Sequence, residues 1–200
     1  GIPGNHNVLN ALAAIALADS CGAEFSLVAR ALATFAGAKR RFETKYLSAN
    51  YRIIDDYGHH PSELAATLQT ARSLKPKRLV VFFQPHRYTR TQALADDFGK
   101  VLQAADLVFI TDVYAASEKP IKGISGQTLV DAMKVHGDIP ATYLPDLATA
   151  HHEIGHALQP GDLLITLGAG NVHEAGTRIA ADPKILEEMR ALMPPGEIDG

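Results

Sequence analysis

The chain has 200 residues, 46% of them hydrophobic and 20% charged, enough apolar surface for one full domain or a domain with a piece of another. Its 19 basic and 22 acidic residues leave a formal charge of −3, which excludes the basic field that draws nucleic acid or an anionic membrane. The single cysteine, Cys21, excludes an internal disulfide and suits a reducing cytoplasm.

No signal peptide is visible, and the opening Gly1-Ile2-Pro3-Gly4 lacks a methionine; the missing methionine suggests a fragment of something longer. No apolar run reaches the length of a membrane span. Gly4-Asn5-His6-Asn7 leads into a helical run, Val8–Ala18, with Asn5 or His6 at the cap position and Cys21-Gly22 at its end. Cys21 falls on an apolar helical face and reads as a small core residue. Ser26 is expected to cap a second helix through Thr34, with Leu27, Val28, Ala31 and Leu32 on its inner face. Two such helices need another body to pack on.

Gly37–Arg41 reads as a linker. Phe42–Leu47 and Tyr51–Asp55 follow as two strands around the turn Ser48-Ala49-Asn50, a plausible hairpin. The pattern then becomes regular. Helices are expected at Ser62–Leu74, Thr91–Ala105, Ser125–His136, Leu147–Leu158 and Asn171–Met193, the last broken near Pro183. Between them lie strands at Arg78–Phe83, Leu107–Thr111, Ala141–Leu144 (weak) and Asp162–Leu167, and the tail Pro194–Gly200 looks loose. Continuous apolar strands alternating with helices indicate a parallel sheet covered on both faces. The fold class is therefore α/β: a doubly wound, mostly parallel sheet preceded by two helices.

Ligands of such sheets bind at the carboxyl ends of the strands, and four exits here are chemically unusual. The first is Asp55–His60 within I-I-D-D-Y-G-H-H-P, where Pro61 suits a first helical turn. The others are Gln84–Thr91, Asp112–Ala116 and Gly168–Asn171. Arg87 and Arg90 stand three apart at a helix entrance, where two guanidinium forks and the helix dipole suit an anion. The plainer alternative pairs both arginines with Asp96 and Asp97. Gly168-Ala169-Gly170 fits either a phosphate turn or tight strand-to-helix packing. The sequence contains no G-x-x-x-x-G-K-[ST] P-loop and no G-x-S-x-G nucleophile elbow. His151, His152 and His156 share a helix, but no third ligand type accompanies them, so they read as structural.

Six stretches in order resemble the C-terminal half of the Mur ligases: P-G-N-H-N-V-L-N-A-L-A-A, K-R-R-F-E, D-D-Y-G-H-H-P-S-E, F-Q-P-H-R-Y-T-R-T, D-V-Y and G-A-G-N. Within the family the resemblance is to the branch that joins L-alanine to UDP-N-acetylmuramate. The sibling that reattaches recycled murein tripeptide shares D-D-x-x-H-H-P and is expected to differ at Q-P-H-R-Y-T-R-T. A stand-alone nucleotide- or anion-binding module is the non-catalytic alternative. The resemblance implies that residues 1–40 end a central ATP-binding domain and that residues 41–200 form the C-terminal, dinucleotide-fold domain. It implies nucleotide contacts from Asn7, Asn10, Arg41 and Asp56, and L-alanine contacts from His59, Arg87 and Arg90. It also implies ATP and magnesium, with the magnesium ligands mainly in the remaining N-terminal and central domains of the same polypeptide. A cytoplasmic enzyme follows, one that proceeds through an acyl phosphate and whose C-terminal portion is inactive alone.

Overall fold

A computed structural model describes residues 4–35 and 37–182; the helical break near Pro183 and the tail Pro194–Gly200 lie outside the described residues. Helices α1 (Asn5–Ser20) and α2 (Phe25–Thr34) come first. They are followed by β1 (Glu43–Leu47), β2 (Arg52–Asp56), α3 (Pro61–Ser73), β3 (Arg78–Phe83), α4 (Tyr88–Ala93) and α5 (Ala95–Val101). After a 3-10 turn at Leu102–Ala104 come β4 (Leu107–Ile110), α6 (Gly126–His136), β5 (Ala141–Tyr143), α7 (Ala150–Ala157), β6 (Asp162–Leu167) and α8 (His173–Ala181).

The six strands form one sheet in the order β1-β2-β6-β3-β4-β5. All neighbours run parallel except β1, which pairs antiparallel with β2 as the expected hairpin. Alternation along β3 sorts its side chains between two cores. Leu79, Val81 and Phe83 meet Leu64 and Leu68 of α3, Phe98 of α5, and Leu129 and Met133 of α6. Val80 and Phe82 point the other way, toward Ile154 of α7 and Val172 and Ile179 near α8. Strands buried on both faces tolerate no polar alternation, which is why R-L-V-V-F-F and D-L-L-I-T-L read as they do.

Several boundaries differ from the sequence reading for physical reasons. The expected helix Thr91–Ala105 starts earlier, at Tyr88, and kinks at Leu94 (φ −116°, ψ 17°) into α4 and α5. The bonds Leu94 N–H to Arg90 and Phe98 N–H to Leu94 persist across the kink, so it bends without losing them. Helix α1 is capped by Gly4, not by Asn5 or His6, and α2 by Glu24, while Ser26 sits inside the helix with its hydroxyl donating to Glu24. Cys21 is exposed, because it follows α1 as its C-cap and does not lie on an inner face.

Helices α1 and α2 pack on each other, yet no described residue of α2 is buried, and Leu27 and Ala31 of the expected inner face are exposed. Val8, Leu9, Leu12, Leu17, Phe25 and Leu27 are all more than half exposed. Apolar surface of this extent is what another protein surface commonly covers.

Candidate active site at the strand exits

Strand β2 leads into α3 on one face of the sheet, whereas its neighbour β6 leads into α8 on the other. The crevice where neighbouring strands diverge is the ligand position of an open α/β sheet. Arg40 ties the exits of β2 and β6 together. Its Nε donates to Asp55 Oδ2 at 2.9 Å, and Nη1 and Nη2 donate to the carbonyls of Gly170 and Gly168 at 2.9 and 2.6 Å. Asp55 is fully buried and also accepts from Thr166 Oγ1 at 2.6 Å. The glycine turn is thus fastened by a guanidinium. A Cβ at Gly170 would lie 2.3 Å from Gln84 Oε1 and 2.7 Å from the Tyr114 ring, so close packing accounts for that glycine. Gln84 completes the turn, its Oε1 accepting from Val172 N–H and its Nε2 donating to Asn171.

Asp56 points away from Asp55, into a cavity of about 330 Å³ that it lines with Asn7, Arg41, Phe42, Ser62, Glu63, Ala66 and Thr67. The structure therefore gathers three of the four expected nucleotide residues around one cavity. The fourth, Asn10, donates to Asn7 Oδ1 at 3.4 Å one helical turn along. Asp56 Oδ2 accepts from Phe42 N–H, and Oδ1 accepts from Gly58 N–H and Thr67 Oγ1. A carboxylate offers about four acceptor positions, so roughly one remains for a ligand. Burial raises the Asp56 carboxyl above its ordinary range, against the pull of the Gly58 and Phe42 amides. Arg41 lies over the Tyr57 ring at 5.5 Å, and Arg40 lies over the same ring at 5.1 Å.

Three residues beyond Asp56, His59 belongs to a second group. Its ring lies 5.3 Å from His86, which stacks on Tyr114 at 5.5 Å with 13° between the planes. Glu63 holds the backbone of this turn, accepting from the amides of His59 at 2.9 Å and His60 at 3.1 Å. Arg90 Nη1 lies 3.3 Å from His86 Nδ1. Arg87 is exposed and has a left-handed backbone (φ 74°) at the N-cap of α4. The structure thus brings His59, Arg87 and Arg90 around His86, which the sequence reading did not single out. Asp96, the alternative partner for the arginines, is engaged by Lys100 and His136 at 2.6 Å each. One expectation changes. The first amides of α4 are not open to a ligand, because Glu118 accepts from Thr89 N–H at 3.0 Å and from Thr89 Oγ1 at 2.7 Å.

Burial, then the neighbouring His59, Arg90 and Arg87, holds the His86 imidazole below its ordinary 6.5; Glu118 opposes this. Burial, then His152 and Arg178, lowers His151 likewise. Below about pH 6.5 the unfolded chain takes these protons before the folded one, so stability declines as pH falls through that value and levels off below the folded pKa values. Thermal melts between about pH 5 and 7.5 are expected to show this decline, with a shallower slope in His86→Phe. An identical slope in the variant would remove His86 from the account.

Among the described residues no three His, Cys, Asp or Glu side chains gather as a metal site, and no helix is long and apolar enough to cross a membrane. The family described as Mur ligase, glutamate ligase domain, matches residues 40–170. A UDP-N-acetylmuramate–L-alanine ligase of Acidithiobacillus ferrooxidans is 53% identical over 173 residues, covering 86% of this chain and 37% of that protein. The corresponding ligase of Lawsonia intracellularis is 48% identical over 177 residues, 88% of this chain and 39% of the relative. A crystal structure of the Thermotoga maritima UDP-N-acetylmuramate–alanine ligase superposes with a TM-score of 0.76 at 34% identity, covering 95% of this chain and 39% of that one. A murein peptide ligase of Psychrobacter arcticus shares the fold, with a TM-score of 0.61 at 22% identity over 100% of this chain and 39% of that one. The chain therefore spans roughly two fifths of the length of the relatives it matches. With this match over more than half of its length, the chain belongs to the Mur ligase family.

Proposed function

We propose that this chain supplies the nucleotide-closing and amino-acid-binding part of an ATP-dependent ligase that joins L-alanine to UDP-N-acetylmuramate in peptidoglycan precursor synthesis. The observation that carries the reading is the placement of two clusters on one edge of the sheet. One is a cavity that combines an asparagine of the leading helices with Arg41 and Asp56; the other is a cationic and imidazole group that begins three residues later. The names of the relatives described above support the choice of substrates.

In this reading the γ-phosphoryl group of ATP passes to the lactyl carboxylate of the sugar nucleotide, giving an acyl phosphate and ADP. The amine of alanine attacks the acyl carbon, phosphate leaves with the C–O bond electrons, and the surplus amine proton passes to solvent or a nearby base. Asn7 and Asn10 face the adenine. Arg41 covers the nucleotide, and Asp56 takes one ribose hydroxyl with its remaining acceptor position. His59, Arg87 and Arg90 hold the alanine carboxylate and leave the amine free. Magnesium would lower the charge on the nucleotide phosphates, and its ligands would lie mainly in the remaining domains of the same polypeptide. Closing this domain over a nucleotide held elsewhere would keep water from the acyl phosphate. A cytoplasmic location follows from the use of ATP.

The test is phosphate release by the full-length protein, which is expected to require ATP, UDP-N-acetylmuramate and L-alanine together. The 200-residue chain alone, without a P-loop in its sequence, is expected to show no turnover. Asp56→Asn should raise the KM for ATP by the equivalent of about 1.5–3 kcal/mol, the scale of one charged hydrogen bond, while the alanine KM stays put. Release that ignores alanine would sink the reading.

A further inference from the structure

Between β4 and α6 the chain folds back across the exit of β3. Tyr114 N–H donates to the Pro85 carbonyl at 2.8 Å, and the Tyr114 carbonyl accepts from Arg87 N–H at 2.9 Å. Ala116 (φ 47°) and Ser117 (φ 70°) then turn through the left-handed region, which is costly for any residue that carries a Cβ. Glu118 N–H closes that turn on the Ala115 carbonyl at 3.0 Å. The turn delivers the Glu118 carboxylate onto Thr89, where both oxygens are used. Hydrogen bonds from Thr89, followed by the charge of Arg87, keep this exposed carboxyl below its usual range. Arg87 is thereby bracketed, with its own amide held by Tyr114 and the second residue after it held by Glu118.

Resting on the reading above, we propose that Glu118 is a positioning residue for the amino-acid clamp. Through the Thr89 amide and hydroxyl it fixes the left-handed backbone of Arg87, and so sets where that guanidinium meets a substrate carboxylate. The loop from β4 therefore sets the geometry of a clamp whose arginines come from the loop after β3.

The experiment is steady-state kinetics of Glu118→Ala, Glu118→Gln and Thr89→Val in the full-length ligase, varying each substrate in turn. Glu118→Ala is expected to raise the KM for L-alanine about tenfold or more, with kcat and the KM for ATP within about twofold. Glu118→Gln keeps an acceptor for the Thr89 amide and should restore most of the affinity. Thr89→Val removes one of the two bonds and should give a smaller rise of the same kind, so the test does not hang on one variant. An unchanged alanine KM in Glu118→Ala would overturn the proposal, as would alanine and ATP constants that rise together with a lowered melting temperature. A wild-type enzyme that ligates a different amino acid would move the expected KM change to that substrate and sustain the positioning role, while correcting the substrate. A wild-type enzyme with no amino-acid-dependent turnover would overturn the functional reading and this proposal with it.

Discussion

Replacing Arg40 with methionine is expected to destabilise the sheet domain by about 3–5 kcal/mol, the cost of leaving one partner of a buried ion pair uncompensated. Asp55 has 0% of its side chain exposed and the Arg40 side chain 19%, so water cannot substitute for the lost guanidinium. The same change also strands the carbonyls of Gly168 and Gly170, which face the crevice. Against a typical domain stability of about 5–15 kcal/mol, a loss of that size endangers folding. Adding Asp55→Asn to Arg40→Met should recover part of the loss, because a neutral amide no longer buries an unpaired charge. Arg41→Met is the control. Its guanidinium lies over an aromatic ring at the cavity edge, and its loss should cost about 1 kcal/mol or less, with the effect appearing in nucleotide use. Urea unfolding of the three variants measures the differences. A loss below about 1 kcal/mol for Arg40→Met would mean that the pair is solvated and the turn is held by packing alone.

Arg40 also marks where sequence reading stops. Gly37–Arg41 has the composition of a linker, and nothing local distinguishes Arg40 from Arg41. The partners of Arg40 lie 15, 128 and 130 positions away, and only the sheet order brings them together. The strands were legible for the opposite reason: burial on both faces writes itself into the chain as an unbroken apolar run. The two aspartates were legible as well, since adjacent residues of an extended segment point to opposite faces. One meets Arg40 and the other meets the cavity. The kink at Leu94 was not legible, because no Gly or Pro marks it and leucine favours the helix it interrupts. Glu118 was invisible for another reason. Its role depends on the two left-handed residues before it, Ala116 and Ser117, and neither type signals such a backbone. His86 stood in view within Q-P-H-R-Y-T-R-T, yet only the pairing of the β3 and β4 exits places Tyr114 against it.

Arg87→Lys and Arg90→Lys are each expected to lower kcat/KM for L-alanine by the equivalent of about 2–4 kcal/mol, somewhat above an ordinary charge-assisted bond because the remaining contact is also misaligned. Alanine offers only a methyl group besides its two charged ends. In the proposed reading the amine must stay free to attack, which leaves the carboxylate as the handle that orients it. A planar fork grips a carboxylate through two parallel bonds, and an ammonium cannot reproduce that geometry. The two positions should differ in kind. Arg90 rests against His86, so Arg90→Lys also loosens the imidazole and should alter the pH dependence of the alanine KM. Arg87 is exposed, and its aim depends on its backbone, so Arg87→Lys should leave that profile in place. Steady-state kinetics with each substrate varied in turn, at several pH values, separates these outcomes. In both variants most of the loss should appear as a raised alanine KM, with the ATP and sugar-nucleotide constants little changed. Should the ATP constant rise while the alanine constant holds, the arginines clamp phosphate, and the alanine carboxylate must then be gripped by other residues.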